Sequence, residues 1–312
     1  MSILRYFDTS ILQYFDTMKD IQWFPGHMAK TERELMECVK LADFVIDVLD
    51  ARIPSSSANP DFEKIFAGRK RLTVLNKSDL ADPACSEKWK LHFRSQGIES
   101  IFTNSQKGDG ISRIRAYMQK VSADKISKQA ERGVKSRPLR AIVAGIPNSG
   151  KSSLINILAS KATAATGDRP GITKRRQWIR LGGGIELLDT PGVLWPKIIS
   201  ADVALRLAFT GAIRDEVYDT IDVAEKLLTF LCSKYMPLVI KRYGDISVPA
   251  ADDSINAYPL LTKTGVKRGF LSKGGIVDYE RAAAIVLDEF RAARIGRITL
   301  EEPSIDAIGP VT

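Results

Sequence analysis

The residues GIPNSGKS, from Gly145 to Ser152, have the composition and spacing of a loop that grips phosphate. They fit G-x-x-x-x-G-K-[ST] at Gly145, Gly150, Lys151 and Ser152, with an apolar strand pattern (LRAIVAG, 139–145) before them and a helical run (SLINILAS, 153–160) after. Glycines let backbone N–H groups approach phosphate oxygens, and the start of the following helix favours negative charge. Asn148, Ser149 and Ser153 flank the same groups and are candidate nucleotide contacts. Lys151 would reach the β- and γ-phosphates, and the Ser152 hydroxyl would ligate Mg²⁺. Downstream, DTPG (189–192) closes a second strand pattern: Asp189 would hold Mg²⁺ through water, and the Gly192 N–H would sense a γ-phosphate. Thr173, in the intervening DRPGITKRR, is a candidate second Mg²⁺ ligand.

LNKSDL (75–80) supplies the base. The carboxylate of Asp79 can accept both N1–H and the exocyclic amino group of guanine, a donor pair that adenine lacks on that edge. A site built on such pairs discriminates by about 10⁴-fold or more, so Asn76, Lys77 and Asp79 point to GTP and GDP. TNSQKG (103–108) ends the next strand pattern, where a serine amide would support guanine O6; Asn104, Ser105 and Lys107 occupy that place. The base-reading residues precede the phosphate loop, the reverse of the usual order.

These groups need a frame. FVIDVLDA (44–51), RLTVLN (71–76), SIFTN (100–104), LRAIVAG and IELLDT (185–190) read as buried strands with helical or loop segments between them. That alternation predicts an α/β unit with a mostly parallel sheet covered on both faces. The spacing predicts a helix from Thr31, with Thr31 and Glu34 as capping box and Leu35, Cys38, Val39 and Ala42 on the apolar face. Residues 111–140 read as an amphipathic helix ending in a basic connector, a phosphate contact or a solvated helix end. Beyond residue 200 the pattern turns helical, over 200–212, 215–235 and 278–295, the last capped by Asp278. That predicts a smaller all-helical C-terminal domain. Within it, TKTGVKRGFLSKGG (262–275) reads as a loop with Lys263, Lys267, Arg268 and Lys273 around Phe270, an RNA contact or a plain surface loop.

Together WFPGHMAKT (23–31), DARIPSSSANP, LNKSDL, GIPNSGKSSLIN (145–156), RPGITK (169–174) and DTPGVLWPK (189–197) resemble the circularly permuted P-loop GTPases, specifically the YlqF-type ribosome biogenesis GTPase A family. NSQKG departs from the family's usual SA-x-K-x-G. The resemblance implies an N-terminal extension over 1–20, a permuted GTPase domain over 21–200 and a helical domain over 201–312 that contacts RNA or the ribosome. It implies a Mg²⁺-dependent GTPase acting in late assembly of the large ribosomal subunit, with the subunit precursor, its rRNA and its proteins as partner. Lys151 and Thr173 would be catalytic, and His27 would orient the attacking water once a partner orders its segment. Asn148 is the residue type with which related GTPases ligate K⁺. The alternative is a nucleotide-gated signalling or scaffold switch gripping a protein. Val193 stands where a water-orienting glutamine is common, so unassisted turnover of about 10⁻⁴ to 10⁻² s⁻¹ is expected. The step from Gly192 into the helical domain suggests that γ-phosphate contacts bias that domain's orientation.

Bulk properties agree. With 44% hydrophobic and 27% charged residues the chain reads as an ordinary globular protein, and its net charge of +9 favours a polyanionic partner. Three widely spaced cysteines suggest neither disulfides nor zinc, and no apolar run reaches the roughly 20 residues of a membrane helix. A cytoplasmic protein is expected, with no membrane span and no DNA partner. SILRYFDT and SILQYFDT (2–17) repeat in tandem, read as an upstream extension with Met18 as the functional start. His92, in an amphipathic context, is read as structural.

Overall fold

The computed structural model describes residues 26–135, 137–166, 178–190, 192, 194, 200–247 and 258–303, with side chains omitted for 26–32 and 161–166. The N-terminal repeat, Thr173 and Val193 lie outside these residues.

Six strands form one sheet in the order β3-β2-β1-β4-β6-β5. In chain order they are β1 (Phe44–Asp50), β2 (Lys70–Asn76), β3 (Ser100–Phe102), β4 (Leu139–Gly145), β5 (Ile179–Gly182) and β6 (Ile185–Asp189). All neighbours are parallel except β5 against β6. Every residue of β1 is buried, as a central parallel strand covered on both faces should be. Phe44, Ile46 and Val48 face α4 (Ile111–Glu131) and α5 (Lys151–Thr166). Val45 faces α1 (Gly26–Leu41), and Leu49 faces α3 (Pro83–Ser95); a short helix, α2 (Phe62–Ile65), lies between β1 and β2.

The chain leaves β1 towards one edge, through β2 to β3, then returns to place β4 on the other side of β1. That reversal creates a crevice at the carboxyl ends of β1 and β4, the position at which open α/β sheets bind ligands. The loops after β1, β2, β3, β4 and β6 all open there.

A helical unit follows: α6 (Ala201–Phe209), a 3₁₀ turn (Asp215–Val217), α7 (Thr220–Lys234), α8 (Met236–Tyr243), α9 (Pro259–Arg268) and α10 (Tyr279–Arg291). Val223, Ala224, Leu227, Leu228 and Leu231 put one face of α7 into its core against Ala282, Ala283, Val286, Leu287 and Phe290 of α10. Each Val, Leu or Phe side chain so removed from water contributes about 1.5–3 kcal/mol. Asp278 caps α10 by accepting from the Arg281 N–H at 3.0 Å, as expected. The start of α9 is satisfied from outside: Glu225 on α7 accepts from the N–H groups of Leu260 (3.0 Å) and Leu261 (2.7 Å).

Ile53 and Ile146, from the loops after β1 and β4, are buried in this helical core. Beyond α10 the chain returns to the α/β unit, where the Glu301 carboxylate accepts from Ser55 N, Ser56 N (2.9 Å) and Ser56 Oγ (2.5 Å) and pairs with Arg206 (3.3 Å).

Three expectations change. The first helix begins at Gly26, so Thr31 lies within it, because a weak capping box does not stop a helix whose apolar face already packs on the sheet. Residues 262–268 continue α9, since Gly265 lets that helix approach Val277: a Cβ there would stand 2.6 Å from Val277 Cγ1. Phe270 is buried in the core and so unavailable for stacking on a base, while Lys263 and Lys267 donate to the Ser247 and Asp245 carbonyls. The last helix ends at Arg291. His92 is buried edge-on against Trp89 and Phe93, as a structural histidine.

Candidate functional site

At the phosphate end, glycine is required twice. Gly145 has φ +148°, and a Cβ there would stand 2.4 Å from the Val48 carbonyl oxygen; at Gly150, φ +91°, it would stand 2.1 Å from Asn76 Nδ2. Asn148 also has positive φ, at +57°, which asparagine tolerates better than most residues. Its Nδ2 donates to the Gly211 carbonyl of the helical unit at 2.6 Å, and its Oδ1 accepts no hydrogen bond among the described residues. Ser149 Oγ and Lys151 Nζ both donate to the Ile146 carbonyl, at 3.0 and 2.8 Å. Burial pushes the Lys151 ammonium down to about 8, only partly opposed by Asp189. A buried cation folded onto its own loop suits a site that receives phosphate.

Ser152 and Ser153 are exposed at the start of α5. Thr190 Oγ1 donates to the Val143 carbonyl at 2.6 Å, fixing the end of β6 beside β4. Burial raises Asp189 above the usual carboxylate range, with Lys151 opposing; an oxygen donor that gains from a nearby cation fits Mg²⁺, as does the exposed Ser152 hydroxyl. A Cβ on Gly192 would stand 2.8 Å from Lys151 Nζ and 2.9 Å from Pro147 Cα, so only glycine sits this close to the phosphate loop.

At the base end, Asn76 is a clasp. Its Nδ2 donates to the Ser149 carbonyl at 2.9 Å, and its Oδ1 accepts from Ser105 N (3.1 Å) and Ser105 Oγ (2.8 Å). One buried amide thus joins the loops after β2, β3 and β4. The amide of Ser105, expected to support guanine O6, is engaged here instead. Asn104 closes an Asx turn by accepting from Gln106 N (2.9 Å) and Lys107 N (3.1 Å).

Lys77 has φ +59° and reaches Asp50 Oδ2 at 3.1 Å. Asp50 is also gripped by Arg52, Nη2 to Oδ2 at 2.7 Å and Nε to Oδ1 at 2.9 Å, and all but vanishes from the surface with it. Burial alone would raise the Asp50 carboxyl, but the two cations hold it well below the usual range. Asp79 is half-buried, and its carboxylate accepts no hydrogen bond among the described residues, which leaves both oxygens for a ligand. Asp50 and Arg52 were not singled out from sequence; the signal available was an acid ending an apolar strand with arginine two residues on. His27 is the second residue of α1, with its side chain outside the described residues.

A phosphate loop after β4, a base-reading loop after β2 and a sheet whose phosphate-loop strand comes fourth define a circularly permuted P-loop GTPase. A profile described as "50S ribosome-binding GTPase" matches residues 140–240. Ribosome biogenesis GTPase A of Bacillus pumilus is 44% identical over 283 residues, 91% of this chain and 99% of that one. Mitochondrial ribosome-associated GTPase 1 of Mus musculus is 33% identical over 305 residues, 92% of this chain and 91% of that one. The crystal structure of GNP-bound YlqF from T. maritima superimposes with a TM-score of 0.59 at 28% identity, covering 88% of this chain and 98% of that one. The chain belongs to the ribosome biogenesis GTPase A family. It is a GTP-hydrolysing enzyme that binds guanine nucleotide. No helix among the described residues is long and apolar enough to cross a membrane.

Proposed function

We propose that this GTPase acts in the cytoplasm in late assembly of the large ribosomal subunit, binding a subunit precursor and using hydrolysis as a checkpoint. Support for the ribosomal partner comes from family membership extending over 91% of the chain, together with the net charge of +9. Residues 21–200 form the catalytic unit and 201–312 the partner-contacting unit, with rRNA and ribosomal proteins as the surface met.

In this reading Asp79 accepts the guanine N1–H and 2-amino group, with Lys77 beneath the base. Asn76 and Ser105 keep the base and phosphate loops in register. The backbone from Gly145 to Ser153 wraps the phosphates, and Lys151 takes the β- and γ-oxygens. Ser152, Thr173 and, through water, Asp189 would hold Mg²⁺, which supplies charge neutralisation as the γ-phosphoryl group leaves. The Gly192 N–H reads the γ-phosphate. Asn148, its Nδ2 fixed on Gly211, has Oδ1 free to ligate K⁺. Oriented on the partner, His27 positions the attacking water.

The test is the GTPase rate with and without purified large ribosomal subunits. Stimulation well above tenfold is expected, because arranging water and transition-state charge contributes about 10³-fold or more in assisted GTPases. Equal rates would reject the ribosomal role. Binding to the subunit that weakens steeply with salt marks RNA phosphate contact.

A further inference from the structure

The helical unit reaches the nucleotide site a second time, through the strap that follows α10. Arg297 donates from Nε to the Ala81 carbonyl and from Nη2 to the Ser78 carbonyl, both at 2.9 Å. The Ile298 N–H donates to the Leu80 carbonyl at 3.0 Å, and Thr299 Oγ1 accepts from the Asp82 N–H at 3.0 Å. Ser78, Leu80, Ala81 and Asp82 therefore each have a backbone group bound to the strap, and Asp79 sits among them. Behind these contacts the Leu300 N–H donates to the Arg52 carbonyl at 2.8 Å, and the hydroxyl of Tyr235, the residue between α7 and α8, donates to the Thr299 carbonyl at 2.9 Å.

The base loop needs such support. Lys77 holds a left-handed backbone at φ +59°, a conformation that is strained for an L-residue and persists only where its surroundings over-determine it. One brace is the Asp50–Arg52 pair beneath Lys77, itself topped by the helical unit: the Arg52 guanidinium lies 5.6 Å from the Phe290 ring centroid. The strap is the other. Arg297 is exposed and pairs with no carboxylate among the described residues, so its two hydrogen bonds to the loop are its evident work.

We propose that Arg297 is a positioning residue for guanine recognition. By holding the carbonyls on either side of Asp79 it sets the angle of that carboxylate to the base, so the helical unit determines how tightly guanine is held and how quickly nucleotide leaves. A partner that draws the helical unit away loosens the base grip, and nucleotide exchange then needs no separate factor. This rests on the reading of Asp79 as acceptor for N1–H and the 2-amino group.

The test uses the full chain with GDP and with inosine diphosphate, which lacks the 2-amino group. Arg297→Ala should release GDP about five- to tenfold faster, as expected for two partly exposed charge-assisted hydrogen bonds. It should also narrow the preference for GDP over inosine diphosphate, while the melting temperature of the nucleotide-free protein falls by no more than a few degrees. Arg297→Lys should recover part of the loss, and Thr299→Val, which removes one acceptor from the strap, should act in the same direction more weakly. Unchanged GDP release in Arg297→Ala, or equal loss of affinity for both nucleotides, overturns the proposal. Asp79→Ala is the control. If it abolishes the preference while Arg297→Ala leaves it whole, the positioning role alone fails; if Asp79→Ala keeps the preference, the reading of the guanine edge falls and the positioning role with it.

Discussion

Asn76→Ala is the most direct probe of how the site is assembled. The side chain is only 3% exposed and makes three hydrogen bonds, one to Ser149 O and two from Ser105. Truncation removes the two sides of the clasp and strands a carbonyl, an amide and a hydroxyl in a largely dry place. At about 1 kcal/mol net per lost bond, with partial rescue by water entering the vacated space, the cost is about 2–3 kcal/mol. Because the clasp joins the loop that reads the base to the loop that holds phosphate, most of that cost should appear in nucleotide affinity. We predict GDP binding weakened by about 30- to 150-fold, from 1.4 kcal/mol per tenfold. Titration of a fluorescent GDP analogue measures it. Ser105→Ala removes one bond of the three and spares its backbone amide, so it should cost no more than about fivefold. An Asn76→Ala protein that binds GDP within about twofold of the parent, or a Ser105→Ala protein that is the worse of the two, would refute the clasp.

Lys151 gives a pH signature. Its pKa in the free protein is near 8 because burial disfavours the charge, whereas bound phosphate favours it, so nucleotide binding should take up protons around and above pH 8 and weaken as pH rises further. Calorimetry in two buffers of different ionisation enthalpy detects the uptake; pH-independent affinity from 7 to about 9 would count against it. The same depressed value makes the unfolded chain bind more protons than the folded one above pH 8, so Lys151 contributes a stability that increases with pH there. His27→Ala should leave GTP affinity intact and abolish most subunit-stimulated hydrolysis, with single-turnover rates on the subunit as the measurement. Asn148→Asp should remove any preference of the GTPase rate for K⁺ over Na⁺; a preference that survives would exclude Asn148 as its source.

The α/β unit was legible because its signals are written in consecutive residues. Buried parallel strands read as unbroken apolar runs, and the phosphate loop displays its glycines, lysine and serine at fixed offsets within Gly145 to Ser152, although the contacts that demand glycine there, with Val48 O and Asn76 Nδ2, are distant in the chain. Thr31 misled for the same reason: a capping box describes a helix end in isolation, whereas packing of Leu35 and Val39 on the sheet governs where α1 runs. Residues 262–275 looked like a loop because Gly265 and Gly269 break helices in the absence of a neighbour, and the neighbour, Val277, is revealed only by folding. The strap was invisible for a deeper reason. IGRITLEEP has no period, and its partners around Asp79 are main-chain groups some two hundred residues earlier, which carry no side-chain identity that a sequence could display. The route from Gly192 to the helical unit was the expected path of communication. Ile146, Asn148 and Arg297 are further points of contact between the two units, two from the phosphate loop and one beside the base.

Ile146 also bears on how the molecule can be handled. It lies inside the phosphate loop and yet belongs to the hydrophobic interior of the helical unit. Cutting the chain near residue 200 to obtain a minimal GTPase would leave that side chain and Ile53 facing water, with a greasy hollow beside the nucleotide. Such a fragment should aggregate or lose its grip on phosphate even with every catalytic residue present, so studies of isolated turnover belong on the intact chain.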